Sequence, residues 1–324
     1  MLSIRDVEAA RLVVDRYLPR APIERSPYLS QLLGAEILLK IETFKPTRTF
    51  KVRGALNKIA SLDDEHRARG VVAASAGSHA QGVSYAAYRL GAPATVVMPR
   101  GVSETTVGVC RAYGAEVLLE GDLYDDTLAL AHRIEREHGK TLVHPYADPL
   151  IIAGQGTVGL EILDDVPDVG LVVVPVGGGG LIGGISLAVK ERRPDVRIIG
   201  VEPEGADAVR RSREAGHPVV VEHPHSVADK LVAKGTEQLN VDLARAYVDE
   251  IVTVTDDALE AATYDYLERL SLLVEPSGAA TLAALRSGAV RASGKTVLVV
   301  SGGNADLRVL ARILAERGAK ASVA

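Results

Sequence analysis

"LVVVPVGGGGLIGGISLAV", residues 171–189, carries no charge and holds six glycines and one proline. The stretch is nearly long enough to cross a bilayer, but glycine and proline at this density suit a buried strand, a tight turn and a buried helix. The strand–turn–helix reading is taken and the transmembrane one rejected. The same grammar recurs along the chain. "VVAAS" (71–75), "ATVVMP" (94–99), "AEVLLEG" (115–121) and "TLVH" (141–144) read as strands. Between them, 79–91, 103–114 and 122–138 carry helical patterns, the first closed by Gly91. The pattern restarts with the strands 171–176, "RIIGVE" (197–202), "EIVTVT" (250–255) and "TVLVVS" (296–301). Strands separated by helices of this length imply parallel β-α-β units with right-handed crossovers. The expected fold is α/β, with two open, mostly parallel twisted-sheet domains. A small domain spans 70–147, and a large one is built from 1–69 and 148–324. Residues 214–226, "EAGHPVVVEHPHS", read as irregular.

The 324 residues are 47% hydrophobic and 24% charged, enough to bury the cores of two domains. A net charge of −5 without a basic run argues against nucleic acid as a partner, and no membrane partner is expected. A single cysteine, Cys110, cannot form an intramolecular disulfide; it fits a reducing cytoplasm and a packed helix position. The start, "MLSIRDVEAARLVV", interleaves charges with apolar residues. It reads as an amphipathic helix with a Ser3…Asp6 capping box rather than a signal peptide.

Three strands run into turns of small residues: "SAGSHAQG" (75–82), "GGGGLIGG" (177–184) and "SGGN" (301–304). Parallel sheets bind ligands beyond the carboxyl ends of their strands, so these turns are the site candidates. Consecutive glycines cost unfolded-state entropy, and make sense where backbone N–H groups crowd around an anion at a helix start. No Gly-Lys-Ser/Thr follows, so the loop is not a P-loop. Gly178, Gly180 and Gly183 satisfy a dinucleotide fingerprint, with Glu202 at the end of the next strand where a ribose-binding acid would sit. On the loop alone a nicotinamide dinucleotide and a smaller phosphate ligand, such as pyridoxal phosphate, stay equally open. The latter also needs a lysine to bond its aldehyde.

"ETFKPTRTFKVRGALNKI" (42–59) offers that lysine. Lys51 follows one of the two phenylalanines, Phe50, in what reads as the first turn of a helix, where an ammonium is disfavoured by the macrodipole. With this segment, the turns at 75–82, 177–186 and 301–306, "HPYADPLIIAGQGTVGLEIL" (144–163) and "EPSGAATLAAL" (275–285), the chain resembles the threonine dehydratase and serine racemase family. These are fold-type II, tryptophan synthase β-like pyridoxal-phosphate enzymes, and the match covers nearly the whole chain in order.

The resemblance implies roles residue by residue. Lys51 becomes the lysine bonded to the cofactor and the catalytic base, with Phe50 packed near the ring. Gly177, Gly178, Gly179, Gly180 and Leu181 would hold the phosphate, Glu275 would lie near the ring, and Ser301 would face the pyridine nitrogen. Ser75, Ala76, Gly77, Ser78 and His79 would receive the substrate carboxylate, with Ser78 also touching the cofactor. Four positions depart from the family pattern: Arg48 replaces a glycine, Thr49 a serine, Ser78 an asparagine and Lys230 a glycine. In metal-activated relatives a carboxylate matching Glu202 and a second acid hold a divalent cation. Here Ala208 takes the second acid's place, with Asp207 beside it, and no resident metal is expected. His223 and His225 lack a third ligand and read as a solvated loop. Ser75 lacks the hydrolase elbow.

The expected activity is a cytoplasmic ammonia-lyase acting on a β-hydroxy-α-amino acid, L-threonine or L-serine, as a homodimer or higher homo-oligomer and without the feedback domain of longer relatives. The alternatives are an amino-acid racemase, a 3-hydroxyaspartate-type dehydratase, a non-catalytic cofactor-binding protein and, distantly, a nicotinamide-dependent oxidoreductase.

Overall fold

The computed structural model describes residues 2–321. The chain divides into two compact units, one of residues 1–20 and 45–157, the other of 21–44 and 158–324. This grouping and the expected domains differ over 1–20, 45–69 and 148–157. The first unit's sheet nevertheless lies wholly inside 70–147.

Among the described residues ten strands alternate with helices: β1 Ile23–Arg25, β2 Glu36–Ile41, β3 Val71–Ala74, β4 Ala94–Met98, β5 Glu116–Leu119, β6 Thr141–Leu142, β7 Leu171–Pro175, β8 Arg197–Pro203, β9 Glu250–Val254 and β10 Lys295–Val300. In the first unit they form a parallel sheet of order β5-β4-β3-β6. All four residues of β3 and all five of β4 are buried, as expected of strands covered on both faces. The core of this unit packs Val14, Val52, Leu56, Ile59, Val83 and Ile151 around the sheet residues Val71, Ala73, Val96 and Met98. Cys110 is fully buried in it, and burial pushes its thiol up, so it is a packing residue. At the helix Ile4–Tyr17 the Asp6 carboxylate accepts the Ser3 N–H at 2.8 Å, the reach-back half of the expected capping box.

The helices Lys51–Ala60 and Ser78–Leu90 approach closely because Gly82 carries no side chain. A Cβ there would stand 3.2 Å from the Lys51 carbonyl carbon and from Val52 N. Close approach of this kind fixes where Lys51 begins its helix relative to the turn after β3.

The second unit's sheet has the order β1-β2-β10-β7-β8-β9, parallel except for the antiparallel β1. Sequence reading found neither β1 nor β2. β1 has only three residues and no apolar alternation, and β2 ("EILLKI") shares its apolar run with the helix before it. β2 holds the buried Lys40, whose Nζ meets Glu161 Oε2 at 2.5 Å and the Ala21 carbonyl at 2.7 Å. A buried ammonium is tolerated only when paired and hydrogen-bonded like this.

In each sheet the chain reverses its direction of travel across the strands at one place: between β3 and β6 in the first, between β7 and β10 in the second. Ligands of open α/β sheets bind beyond the carboxyl ends of the strands at such reversals.

Candidate active site

At the first reversal, the turn after β3 (Ser75–Gly77) faces the segment after β6 (Val143–Pro145). Gly77 N–H bonds Ser75 Oγ at 3.2 Å, which closes the turn and leads into the helix Ser78–Leu90. His79, 3% exposed, bonds the Val143 carbonyl through Nε2 at 2.8 Å. Lys51 is half-buried as a whole residue, with its amine enclosed. Its Nζ donates to the Pro145 carbonyl at 2.7 Å and lies 5.4 Å from the centre of the Phe50 ring. The same side of the unit is pinned further along. Asn57 Nδ2 donates to Leu150 O at 2.7 Å, and Lys58 pairs with Asp148 at 2.6 Å.

Electrostatics here favour neutral nitrogen. Burial lowers the Lys51 amine from its ordinary 10.5 to about 8. Burial, and then the Lys51 charge, lower His79 to about 3 and His144 to about 4. His144 Nδ1 accepts N–H groups from Tyr146 at 3.2 Å and Ala147 at 2.8 Å, an arrangement open only to an unprotonated nitrogen. His79 Nδ1 is buried without a hydrogen-bond partner. Lys51 is therefore the amine of this cluster whose proton is held loosely near neutral pH, as a nucleophile or base requires.

At the second reversal, β7 ends at Pro175 and residues 177–179 turn into the helix Gly180–Lys190. Gly179 caps it with φ +91°, a left-handed conformation that favours glycine, and a Cβ there would meet the Asn240 side chain at 3.2 Å. The Gly178 carbonyl accepts from Thr236 Oγ1 at 2.9 Å and from Asn240 Nδ2 at 2.5 Å. In a trans peptide the N–H points opposite the C=O, so pinning this carbonyl aims the Gly179 N–H the other way. The first-turn N–H groups of the helix have no acceptors within it, and its dipole is positive at this end. Together they make a cradle of N–H groups, without a formal positive charge, of the kind that can hold an anion such as a phosphate. Across the reversal, Ser301 is 4% exposed at the end of β10, and the Glu275 N–H bonds the Gly302 carbonyl at 3.2 Å. Leu181 is buried at the start of the cradle's helix.

The structure thus gathers Lys51, Phe50, Ser75, Gly77, Ser78 and His79 in the first unit. It gathers Gly177, Gly178, Gly179, Gly180, Leu181, Glu275 and Ser301 in the second. Ala76 is exposed in its turn, with only a methyl to offer. Sequence reading missed the His144 imidazole, the Pro145 carbonyl, Thr236 and Asn240. "HPYADP" stood out only as a pattern, and the Thr236 and Asn240 contacts to Gly178 cross about sixty residues with no motif. Glu202 is fully buried and accepts the Val209 and Arg210 N–H groups at 3.0 and 2.8 Å. It caps the helix Ala208–Ala215, and burial pushes its carboxyl up to about 8. Asp207 pairs with Arg210 at 2.5 Å and Arg211 at 2.7 Å. A carboxyl spent on a helix cap is a poor ribose ligand, which weakens the dinucleotide reading.

The sequence profile of the family described as "Pyridoxal-phosphate dependent enzyme" matches residues 14–302. The chain belongs to this family, and its cofactor is pyridoxal phosphate. It is 43% identical over 314 residues to the L-threonine ammonia-lyase of Thermotoga maritima, covering 97% of this chain and 78% of that one. Among solved structures, maize serine racemase superposes with a TM-score of 0.92 at 35% identity, covering 99% of both chains. The processed form of threonine deaminase isoform 2 from Solanum lycopersicum superposes with a TM-score of 0.92 at 32% identity, covering 97% of this chain and 88% of that one.

The residues fit the cofactor. A left-handed glycine whose Cβ would strike Asn240 begins a helix at the phosphate cradle, and an enclosed amine of lowered pKa is present to bond the aldehyde.

Proposed function

We propose that the chain is a pyridoxal-phosphate-dependent ammonia-lyase that converts L-threonine or L-serine to a 2-oxo acid and ammonia. The observation that carries this reading is the Lys51 amine, enclosed at a helix start, held on the Pro145 carbonyl and lowered to about 8. Similarity to L-threonine ammonia-lyase over nearly the whole chain supports the lyase class.

Gly177, Gly178, Gly179, Gly180 and Leu181 would hold the cofactor phosphate, Phe50 and Glu275 would border its ring, and the Ser301 hydroxyl would meet the ring nitrogen. The cofactor, when bound, draws electron density from the substrate Cα and so loosens its proton. The Ser75–His79 turn receives the substrate carboxylate at the positive end of the helix Ser78–Leu90, and Ser78 contacts cofactor and substrate. Lys51 takes the Cα proton as general base. The β-hydroxyl takes up one proton and departs as water, and the released enamine tautomerises to an imine that consumes one water, giving the 2-oxo acid and ammonia. A hydroxyl at Ser301 cannot hold a ring nitrogen protonated as a carboxylate would, which favours prompt elimination over transamination.

Racemisation needs a second proton carrier opposite Lys51, and Ala76 offers none in the turn. Incubation with L-serine, L-threonine and 3-hydroxyaspartate, following 2-oxo acid and inverted amino acid by chiral chromatography, tests the reading. Oxo acid from threonine or serine should dominate. Faster accumulation of inverted amino acid would replace the lyase with the racemase.

Among the described residues no helix is long and apolar enough to cross a membrane. We propose a cytoplasmic homo-oligomer, with 70–147 as the small domain and the remainder as the large one.

A further inference from the structure

Lys230 sits in the short turn Asp229–Leu231 of the second unit, and three parts of it are engaged. Its N–H donates to Ser277 Oγ at 3.1 Å, and its Nζ lies 3.3 Å from Glu275 Oε2 and 2.9 Å from Asp229 Oδ2. Its carbonyl lies 3.2 Å from where a Cβ would stand on Gly177, the first residue of the phosphate cradle. Glu275 and Ser277 open the helix Pro276–Arg286, and Glu275 is itself tied to Gly302 beside Ser301. The one residue therefore joins the glycine loop to the helix start that borders it.

A lysine where the family resemblance places a glycine invites a simpler reading, an anchor for a second substrate carboxylate such as that of 3-hydroxyaspartate. The geometry opposes it. The ammonium already lies between two carboxylates, and Asp306 feels its charge as well. Glu275, by contrast, is 3% exposed, and Lys230 is the cation that faces it.

We propose that Lys230 is a positioning residue: its ion pair with Glu275 fixes the 229–231 turn against Gly177, and so sets the cradle in its phosphate-holding shape. This rests on the reading of residues 177–181 as the phosphate site. The charged groups involved are Lys230, Asp229, Glu275 and Asp306. Burial pushes Glu275 up to about 7, against the pull of Lys230 and with the help of Asp229. Without the lysine, Glu275 takes up a proton at neutral pH, and the turn loses its tether.

The test is fluorescence titration of apoprotein with pyridoxal phosphate at pH 6.5 and 8.5. Wild type, Lys230→Met, Lys230→Arg, Glu275→Gln and the Lys230→Met/Glu275→Gln double variant are compared. Lys230→Met should lose roughly tenfold in affinity, more at pH 8.5 than at 6.5, because Glu275 of the wild type is ionised, and so ion-paired with Lys230, mainly at the higher pH. Lys230→Arg should stay within about twofold of wild type. The double variant should bind more tightly than the product of the single losses predicts. Wild-type affinity in Lys230→Met, or losses that simply multiply, would overturn the proposal. So would an unchanged cofactor affinity accompanied by a raised KM for 3-hydroxyaspartate alone, which would make Lys230 the anchor rejected above. If Lys230→Met does not fold, Lys230→Arg and Glu275→Gln still decide, because an arginine variant that loses cofactor affinity tenfold also overturns it. Failure of the lyase reading would show separately, as wild-type enzyme that binds the cofactor but forms no 2-oxo acid.

Discussion

The depressed basicity of Lys51 makes a prediction that can be read without turnover: the rate at which apoprotein captures pyridoxal phosphate should follow the free amine. Burial disfavours the charged form, so the pKa falls, here from 10.5 to about 8. At pH 7 an ordinary lysine is about 0.03% unprotonated and one of pKa 8 about 10%, a gain of roughly 300-fold in nucleophile. His79 and His144, lowered to about 3 and about 4, stay neutral over the whole range and do not blur the profile. The assay is stopped-flow mixing of apoprotein with cofactor, following the visible absorbance of the lysine-bound form. The rate constant should climb about tenfold per unit below pH 7, bend near 8 and level by about 9. A second readout comes from linkage. Between pH 8 and 10.5 the unfolded lysine is protonated and the folded one is not, so apoprotein stability should rise with pH across that window, by about 3 kcal/mol at most relative to Lys51→Met. A capture rate that climbs without a bend through pH 10 would refute the argument, since it would mean that burial does not perturb this amine.

Lys51→Ala should abolish both turnover and the visible absorbance, because one nitrogen is assigned as anchor and base; retained activity would remove Lys51 from the site. Gly179→Asp should weaken cofactor binding at least a hundredfold, combining a carboxylate at the cradle with a strained φ of +91°, and Gly179→Ala, which adds strain and an Asn240 contact but no charge, should lose about tenfold in the same titration. Equal losses would mean that packing alone requires the glycine. Arg48 is exposed with φ +57°, a backbone conformation that favours glycine, so Arg48→Gly should be neutral to stabilising by up to about 1 kcal/mol in urea unfolding; a clear loss of stability would show that the arginine's contacts outweigh its strain. A chelator should leave activity within about twofold, since Glu202 is used by a helix cap and Asp207 by two arginines, and strong reversible inhibition would show that these groups rearrange around a cation.

What could be read from the sequence divides along physical lines. The strands β3, β4, β7, β8 and β10 announced themselves because strands buried on both faces are mostly apolar, and the edge strand β9 did so through its β-branched run. The left-handed helix stop showed at Gly91 because few other residues adopt that geometry, whereas the left-handed φ of Gly179 was not read from the glycine run. β1 and β2 did not, since an edge pair takes its register from its neighbours rather than from its own pattern. Likewise the six matching segments named the roles of Lys51 and the glycine loop, but not what holds them. The carbonyls of Val143 and Pro145 have no residue-type signal, and Asn240 reaches Gly178 across a tertiary contact.

Lys51 shows why both levels are needed. In sequence it is an ammonium placed where a helix dipole disfavours it, with no acid in the first turn to offset the field. A surface lysine could tolerate this through solvation, but the amine of this one is screened from water and bonded to a carbonyl, which accepts from the neutral amine as well as from the ammonium. The same position that makes its charge costly makes its lone pair available. A misplaced cation in the sequence thus becomes, in the fold, an enclosed amine of lowered basicity, which is what the proposed bond to an aldehyde and the proposed proton transfer both require.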